Sequence, residues 1–79
     1  MEQDYLKVVL VGLVDNPDSV VVTRSEDELG VLLTIDVHAD DMGKIIGREG
    51  NTAKAIRTLM RAVGMKTQAR INIKINEPQ

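Results

Sequence analysis

The chain has 79 residues, a length that predicts a single domain over residues 1–79, and it contains no cysteine and one histidine, His38. This composition excludes disulfides and thiolate metal sites, and a lone histidine does not make a zinc site, so no metal or cofactor is expected. No apolar run approaches the roughly 18 residues that cross a membrane, and the acidic start "MEQDY" is unlike a signal peptide. We therefore expect a cytoplasmic protein without membrane contact.

The net charge of −2 conceals an uneven distribution along the chain. Residues 1–41 hold ten acidic and two basic residues, a net charge of −8, whereas residues 42–79 hold eight basic and two acidic residues, a net charge of +6. A basic half of this kind is typical of proteins that bind a polyanion. It is equally consistent with two halves that attract each other on folding, so both interpretations stay open.

The first predicted element is a helix over residues 3–14, "QDYLKVVLVGLV". Four apolar residues have the spacing of one helix face, namely Leu6, Val9, Leu10 and Leu13. The valines would also suit a strand, but the length favours a helix, with Asp4 as its N-cap. Tyr5, Val8 and Val11 extend the apolar surface, which indicates either packing against a sheet or a surface for self-association.

A hairpin is predicted after a loop over residues 15–19. Residues 20–24 form its first strand, residues 25–30 its turn and residues 31–38 its second strand. The second strand alternates cleanly, and its inward residues are Val31, Leu33, Ile35 and Val37. His38 is expected to be a solvated residue at the end of this strand.

Two helices follow in the predicted order. The first covers residues 39–46, with Asp40 and Asp41 as candidate N-cap residues. The second covers residues 51–64 and is expected to end at Gly64. Its apolar residues recur at helical spacing and are expected in the core, namely Ala53, Ile56, Leu59, Met60 and Val63.

Alternation returns in residues 67–76, which predict a last strand with Ile71, Ile73 and Ile75 facing inward, before a loose end "NEPQ". The order is therefore α-β-β-α-α-β. A hairpin followed by a helical crossover to a third strand predicts an α+β fold, with a three-stranded mixed sheet and helices packed on one face.

The segment "GKIIGREGNT" places Gly47 and Gly50 between the two predicted helices. A glycine pair lets the chain turn sharply, and the N-terminus of the following helix presents free N–H groups at the same corner, which suits a phosphate. Basic residues lie on both sides of the corner, namely Lys44, Arg48, Lys54, Arg57 and Arg61. Taken on their own, the two glycines are explained at least as well by an ordinary corner that needs glycine for its geometry.

Known phosphate-binding and catalytic motifs are missing from the sequence. The glycine spacing fits neither the Walker loop nor the dinucleotide fingerprint, and no EF-hand pattern is present. The sequence shows no nucleophile–base pair, no paired carboxylates in an apolar setting and no metal cluster, so an enzyme is not expected. The absence of Phe and Trp disfavours an RRM, which stacks bases on aromatic side chains.

The pattern "IIGREGNTAKAI", within the order α-β-β-α-α-β, resembles the GxxG signature of KH domains in their type II arrangement. The resemblance covers about residues 20 to 76, and the extended match "DDMGKIIGREG" with "AKAIRTLM" is far more specific than a lone GxxG. With a helix over about residues 3–14 and little besides the KH unit, the chain is similar to the KhpA family of small bacterial proteins. The resemblance implies a non-enzymatic protein that binds single-stranded RNA.

In KH domains the GxxG loop clamps the backbone of about four single-stranded nucleotides. The matching residues here are Gly47, Arg48, Glu49 and Gly50. The resemblance also assigns contacts with RNA to residues around the loop, namely Lys44, Ile46, Asn51, Lys54 and Arg57. Of the two isoleucines before the loop, Ile45 is expected in the core and Ile46 on the floor of an apolar groove for the bases. Glu49 puts a negative charge inside the clamp, so we expect a modest affinity.

The resemblance also implies partners and a biological role. The family suggests a homodimer, a larger KH-containing partner called KhpB, and an RNA chaperone or post-transcriptional regulator linked to cell-envelope growth and division, cell shape and cell-wall biogenesis. Two alternatives stay open. One is a KH-shaped module that works mainly through protein contacts, which the acidic half and Glu49 allow; the other is a ribosome-associated factor that binds structured RNA.

Overall fold

The computed structural model describes residues 2–76, and its helices and strands follow the predicted order α-β-β-α-α-β. The helices are α1 (Glu2–Leu13), α2 (Met42–Ile46) and α3 (Asn51–Thr67), and the strands are β1 (Val21–Asp27), β2 (Gly30–Asp36) and β3 (Ile71–Ile75). Short 3₁₀ turns lie at Pro17–Ser19, Ala39–Asp41 and Arg48–Gly50. Within this described part of the chain, none of the helices has both the length and the apolar character needed to cross a bilayer.

The strands form one mixed sheet in the order β1-β2-β3, which confirms the predicted α+β fold. β1 pairs with β2 in the antiparallel sense and starts with Val21 opposite Asp36. β3 pairs with β2 in the parallel sense and starts with Val31 opposite Ile71. β3 is therefore an edge strand, and the backbone groups along its outer edge are available for other contacts.

The core lies between one face of the sheet and the helices. The central strand β2 and the residue after it bury the side chains predicted from alternation, namely Val31, Leu33, Ile35 and Val37. The helices contribute Leu6, Leu10, Ile45, Ile56 and Met60. Because burial of such a side chain stabilises a fold by about 1.5–3 kcal/mol, this cluster is the main source of stability for the packing of the helices on the sheet.

The hairpin differs from the prediction in its boundaries. β1 continues to Asp27, so residues 25–27, predicted as part of the turn, pair with β2, and the turn contains only Glu28 and Leu29. Polar residues join the strand because the hydrogen bonds of a β-ladder come from the backbone. The Leu29 amide donates a hydrogen bond to Asp27 Oδ1 at 2.8 Å, which holds the tight turn.

β2 ends at Asp36, so the placement of His38 in the strand is wrong. His38 lies before the 3₁₀ turn, where its Nδ1 accepts a hydrogen bond from the Asp40 amide at 3.1 Å. The histidine, rather than Asp40, thus caps this segment. The predicted N-cap role of Asp4 is also wrong, because α1 begins at Glu2 and Asp4 lies within its first turn.

Gly64 does not end α3, contrary to the prediction. The helix continues to Thr67 and ends at Gln68, which has the left-handed conformation at φ 59°. A Cβ atom on Gly64 would lie 2.5 Å from the Ala69 carbonyl oxygen, so the glycine lets the returning chain pack closely on the helix. Because α3 is longer than predicted, β3 is shorter and starts at Ile71 instead of residue 67.

The chain is anchored beyond β3. The Asn76 amide donates a hydrogen bond to the Ile35 carbonyl at 2.9 Å, and its side-chain amide donates another to Asp36 Oδ1 at 3.0 Å. Asn76, predicted as the start of a loose end, therefore continues the contact with β2. The rest of that predicted segment, residues 77–79, lies outside the described residues.

Several apolar residues at helical spacing lie outside the core. Leu59, predicted to be buried, is 45% exposed, and it lines a shallow groove between α1 and α3 together with Leu13. Tyr5, Val8 and Val11 are also exposed, which excludes the interpretation that they pack against the sheet. Spacing identifies the apolar face of a helix, but the width of the face that neighbours cover depends on the packing. Self-association through α1 stays a prediction.

Candidate nucleic-acid interface

The loop between α2 and α3 has backbone conformations that favour glycine. Gly47 has φ 74° and ψ 177°, Glu49 has φ 56° and ψ 26°, and Gly50 has φ 77° and ψ 10°. A left-handed conformation costs a residue with a side chain about 1–2 kcal/mol, so Glu49 is locally strained. The three positive φ angles turn the chain sharply from the end of α2 into the start of α3.

The two glycines of the loop have different surroundings. A Cβ atom on Gly47 would lie 2.1 Å from Thr52 Oγ1 and 2.7 Å from the Thr52 amide nitrogen, so Gly47 is needed for the corner to close on α3. A Cβ atom on Gly50 would have nothing within 4 Å. Gly47 thus serves the geometry of the loop, whereas Gly50 leaves open space on its outer side.

The loop is accessible from solvent. Arg48, Glu49 and Asn51 are exposed, and the two glycines are partly exposed. α3 begins at Asn51, and the first amide groups of a helix have no partner from a preceding turn. The positive end of the 17-residue helix α3 therefore lies at the open side of the loop, an arrangement that favours an anion.

A groove of about 290 Å³ starts at the loop and runs between α3 and β3. We call it the loop groove, and its lining residues are Ile46, Gly50, Ala53, Arg57 and Ile75. Ile45 is fully buried, whereas Ile46 is partly exposed at the groove, the arrangement expected for the pair. The loop groove has an apolar floor and one cationic side chain, Arg57, in its lining.

Sequence reasoning had placed Ala53 and Ile75 among the inward-facing residues and missed their position in the groove. Ala53 and Arg57 are spaced i and i+4, so they share one face of α3, and Gly50 directly precedes the helix. That spacing could have revealed Ala53. Ile75 has no comparable signal, because only the pairing of β3 with β2 brings it to the start of α3.

A row of basic side chains continues along α3. Lys54, Arg57 and Arg61 are exposed, and within residues 2–76 none of them forms an ion pair with a carboxylate. The sequence from residue 51 to residue 76 contains no acidic residue at all. The surface around the loop groove is thus more cationic than the net charge of the chain suggests.

Lys44 lies apart from the other predicted contact residues. Its ammonium group donates a hydrogen bond to Asp15 Oδ2 and lies 3.9 Å from Asp41 Oδ1. The hydrogen bond to Asp15 raises the pKa of the Lys44 ammonium group. Lys44 and Ile46 are two residues apart on α2, which places them about 200° apart around the helix. The structure therefore brings Ile46, Gly50 and Arg57 together but directs Lys44 elsewhere.

Asp41 is a buried anchor, not the N-cap that its position suggested. Its side chain makes no capping hydrogen bond to α2 and is 1% exposed. Oδ1 accepts a hydrogen bond from the Asp15 amide at 3.1 Å, and Oδ2 accepts two from Asn16, at 2.9 Å from the backbone amide and 3.1 Å from the side chain. Asp41 thus fastens the segment after α1 to the helix that leads into the glycine loop.

Asp41 should make the stability of the protein sensitive to acid. Burial disfavours its ionised form, but the hydrogen bonds from Asp15 and Asn16 and the nearby Lys44 outweigh this and lower the pKa of the carboxyl group. A lowered pKa in the folded state stabilises the protein above the unfolded-state value of about 4 and loses that effect as the pH falls through the folded-state value. We therefore expect the free energy of unfolding to fall below about pH 4.

Urea unfolding of the Asp41→Asn variant at several pH values tests this expectation. An amide has one acceptor oxygen where the carboxylate has two, so one donor loses its partner and the variant should be less stable at pH 7. Its unfolding free energy should also depend less on pH below about pH 4 than that of the original protein. Asp40→Asn is the matched control, because the Asp40 side chain is 83% exposed. Equal acid sensitivity in all three proteins would contradict the assignment.

Comparison with known proteins places this geometry in a family. The family model described as "KhpA/KhpB, KH domain" matches residues 3–75. The RNA-binding protein KhpA of Listeria monocytogenes is 43% identical over 77 residues, which cover 98% of this chain and 100% of that protein. KhpA of Bacillus subtilis is 38% identical over 73 residues, with 92% and 90% covered, and KhpA of Streptomyces coelicolor is 45% identical over 64 residues, with 81% of each covered.

These relatives are named as RNA-binding proteins and not as enzymes. No solved protein structure gives a significant match to this chain. The family model covers nearly the whole described region, including the glycine loop, the loop groove and the helix that precedes the hairpin. The chain belongs to the KhpA/KhpB family of KH-domain proteins.

Proposed function

We propose that this protein binds single-stranded RNA, with the backbone held at the Gly47–Gly50 loop and the bases in the loop groove. The observation that carries the proposal is the exposed corner at Gly50, where open space, the N-terminus of α3 and the apolar groove meet. The RNA-binding names of the curated KhpA relatives support the same function.

The parts of the site suit different parts of a nucleotide. A phosphate fits the space beside Gly50, where Arg48 and Lys54 supply positive charge. Unpaired bases fit against Ile46, Ala53 and Ile75, since their faces are apolar. A duplex keeps its bases stacked and paired, so its bases could not enter such a groove, and a single strand is the expected ligand.

Glu49 should limit the affinity of the clamp. Its carboxylate is exposed in the loop that faces the phosphates, and within residues 2–76 it forms no ion pair. Repulsion between this charge and the RNA backbone offsets part of the attraction from Arg48 and Lys54. Low intrinsic affinity fits a protein that gains strength from a second RNA-binding unit.

The salt dependence of RNA binding tests the proposal directly. With two to four phosphates neutralised, a plot of the logarithm of the binding constant against the logarithm of the salt concentration should have a slope of about −1.5 to −3. Lys54→Gln should reduce the magnitude of the slope by about 0.7, which corresponds to one phosphate contact on a single strand. Lys7→Gln, an exposed site on α1, is the matched control and should leave the slope unchanged.

Fluorescence anisotropy with a labelled single strand and the corresponding duplex provides both quantities. The single strand should bind more tightly than the duplex. Equal binding of the two forms would contradict recognition in the loop groove. An unchanged slope in Lys54→Gln would exclude a phosphate contact at this position.

A biological role follows from the same proposal. A clamp with an apolar groove tolerates many sequences, which suits an RNA chaperone or a post-transcriptional regulator.

A homodimer and a complex with a KhpB protein would each add a second RNA-binding unit, and sedimentation analysis tests both. The exposed apolar side chains Tyr5, Val8 and Val11 favour a protein contact on α1. The proposed link to cell-envelope growth and division rests on the resemblance to the family alone.

A further inference from the structure

A second groove lies at the far end of α3 and β3 from the glycine loop. It has a volume of about 330 Å³, and we call it the distal groove. Its lining residues are Arg61, Met65, Ala69, Arg70, Ile71 and Asn72. The distal groove combines two guanidinium groups and one amide with an apolar floor.

The distal groove lies along the same two elements as the loop groove. Arg57 lines the loop groove and Arg61 the distal groove, and the two are about 6 Å apart along the axis of α3. Ile75 and Ile71 occupy the corresponding positions on β3, about 13 Å apart and on one face of the strand. A strand that leaves the loop groove along the boundary between α3 and β3 therefore enters the distal groove.

The charges in the distal groove are free for an anionic ligand. Arg61 and Arg70 are exposed, and in the part of the chain that the structure describes neither forms an ion pair with a carboxylate. The Arg70 carbonyl accepts a hydrogen bond from the Val31 amide at 2.7 Å, which fixes the backbone from which this side chain extends. A guanidinium group binds phosphate through two parallel hydrogen bonds, so each arginine suits one phosphate of a strand.

The floor of the distal groove suits a nucleobase. Met65 is 77% exposed, a high value for a large apolar side chain, and its thioether is polarizable enough to pack on the face of a ring. Ala69 and Ile71 extend the apolar surface beside it. The side-chain amide of Asn72 offers both a donor and an acceptor to the edge of a base.

We propose that the distal groove is a second RNA subsite, which takes about two nucleotides beyond those held at the glycine loop, with Arg61 and Arg70 on their phosphates and Met65 under a base. This inference rests on the proposed function. An acidic peptide is disfavoured because the distal groove lies on the same boundary between α3 and β3 as the loop groove, where open space at Gly50 and the N-terminus of α3 suit a phosphate.

The dependence of salt sensitivity on RNA length tests the proposal. Random-sequence single-stranded RNA pools of four and eight nucleotides are compared by fluorescence anisotropy over a range of salt concentrations. For the original protein, two further phosphate contacts should make the slope for the octanucleotide steeper by about 1.4 than the slope for the tetranucleotide. In Arg61→Gln/Arg70→Gln this difference should disappear, while the affinity for the tetranucleotide is retained.

Lys7→Gln/Lys66→Gln is the matched control, because it also removes two positive charges, at exposed positions outside both grooves. It should keep the difference between the two lengths. The inference is overturned if the original protein shows equal slopes for both lengths, or if the two double variants behave alike. Failure of the original protein to bind either pool would overturn the proposed function as well, so the two failures are distinguishable.

Discussion

Gly50→Asp should lower the affinity for single-stranded RNA by at least about tenfold at low salt, whereas Gly50→Asn should retain most of it. A side chain at Gly50 enters open space, and both residues tolerate its left-handed conformation, at φ 77° and ψ 10°. The two side chains have the same shape, so the variants differ in one negative charge at the proposed phosphate position. Two unit charges about 4 Å apart interact by about 1–4 kcal/mol near a protein surface, which is the basis of the expected loss.

Binding of the two variants is measured by fluorescence anisotropy, at low salt and again near 1 M salt, where the Debye length falls to about 3 Å. The difference between aspartate and asparagine should shrink at high salt, because screening weakens repulsion. Thermal unfolding of the two variants should be similar, which separates binding from folding. Equal RNA affinity of two folded variants at low salt would rule out a phosphate at Gly50 and, with it, the clamp.

Gly47→Ala should destabilise the protein by about 3 kcal/mol or more, while Gly50→Ala should cost about 1 kcal/mol. Gly47 lies at φ 74° and ψ 177°, a region that essentially only glycine occupies. Its new Cβ atom would also lie 2.1 Å from Thr52 Oγ1, and the nearby backbone nitrogen of Thr52 leaves little room for adjustment. Gly50→Ala has only the cost of a side chain at a positive φ angle, because a Cβ atom there has no neighbour within 4 Å.

Urea unfolding of both alanine variants measures the two costs. Small domains have a free energy of unfolding of only about 5 kcal/mol, so Gly47→Ala should lose most of it. Gly50→Ala should stay folded. Similar destabilisation by the two substitutions would show that the surroundings of Gly47 are more adaptable than the structure indicates. The difference also matters for binding experiments, since a substitution at Gly47 changes the loop itself and Gly50 is the better position for testing RNA contacts.

Much of the fold was predictable from local patterns. The alternation in β2 identified Val31, Leu33 and Ile35 as core residues, because a strand with one buried face must be apolar at every second position. Helical spacing likewise identified Ile56 and Met60 on α3. The glycine spacing and the extended motif around it located the corner between α2 and α3, because sharp turns with positive φ require particular residues at particular positions.

The individual roles of several residues depended on neighbours that are distant in the sequence. Gly64 was predicted to end α3, but the return of the chain at Ala69 made it a packing position. Lys44 was predicted to contact a phosphate, which stays a prediction, and only the tertiary structure shows that the segment after α1 places Asp15 beside its ammonium group.

The distal groove also depends on residues that are distant in the sequence. Arg61 and Arg70 carry no shared periodicity, and they meet because β3 pairs with β2 and runs along α3. The amino-acid pattern thus specifies which face of each helix or strand is apolar, since that face must leave water. The crossover connection determines how the helices pack on the sheet, and this packing decides which charged and polar groups become neighbours. Local periodicity does not predict that arrangement.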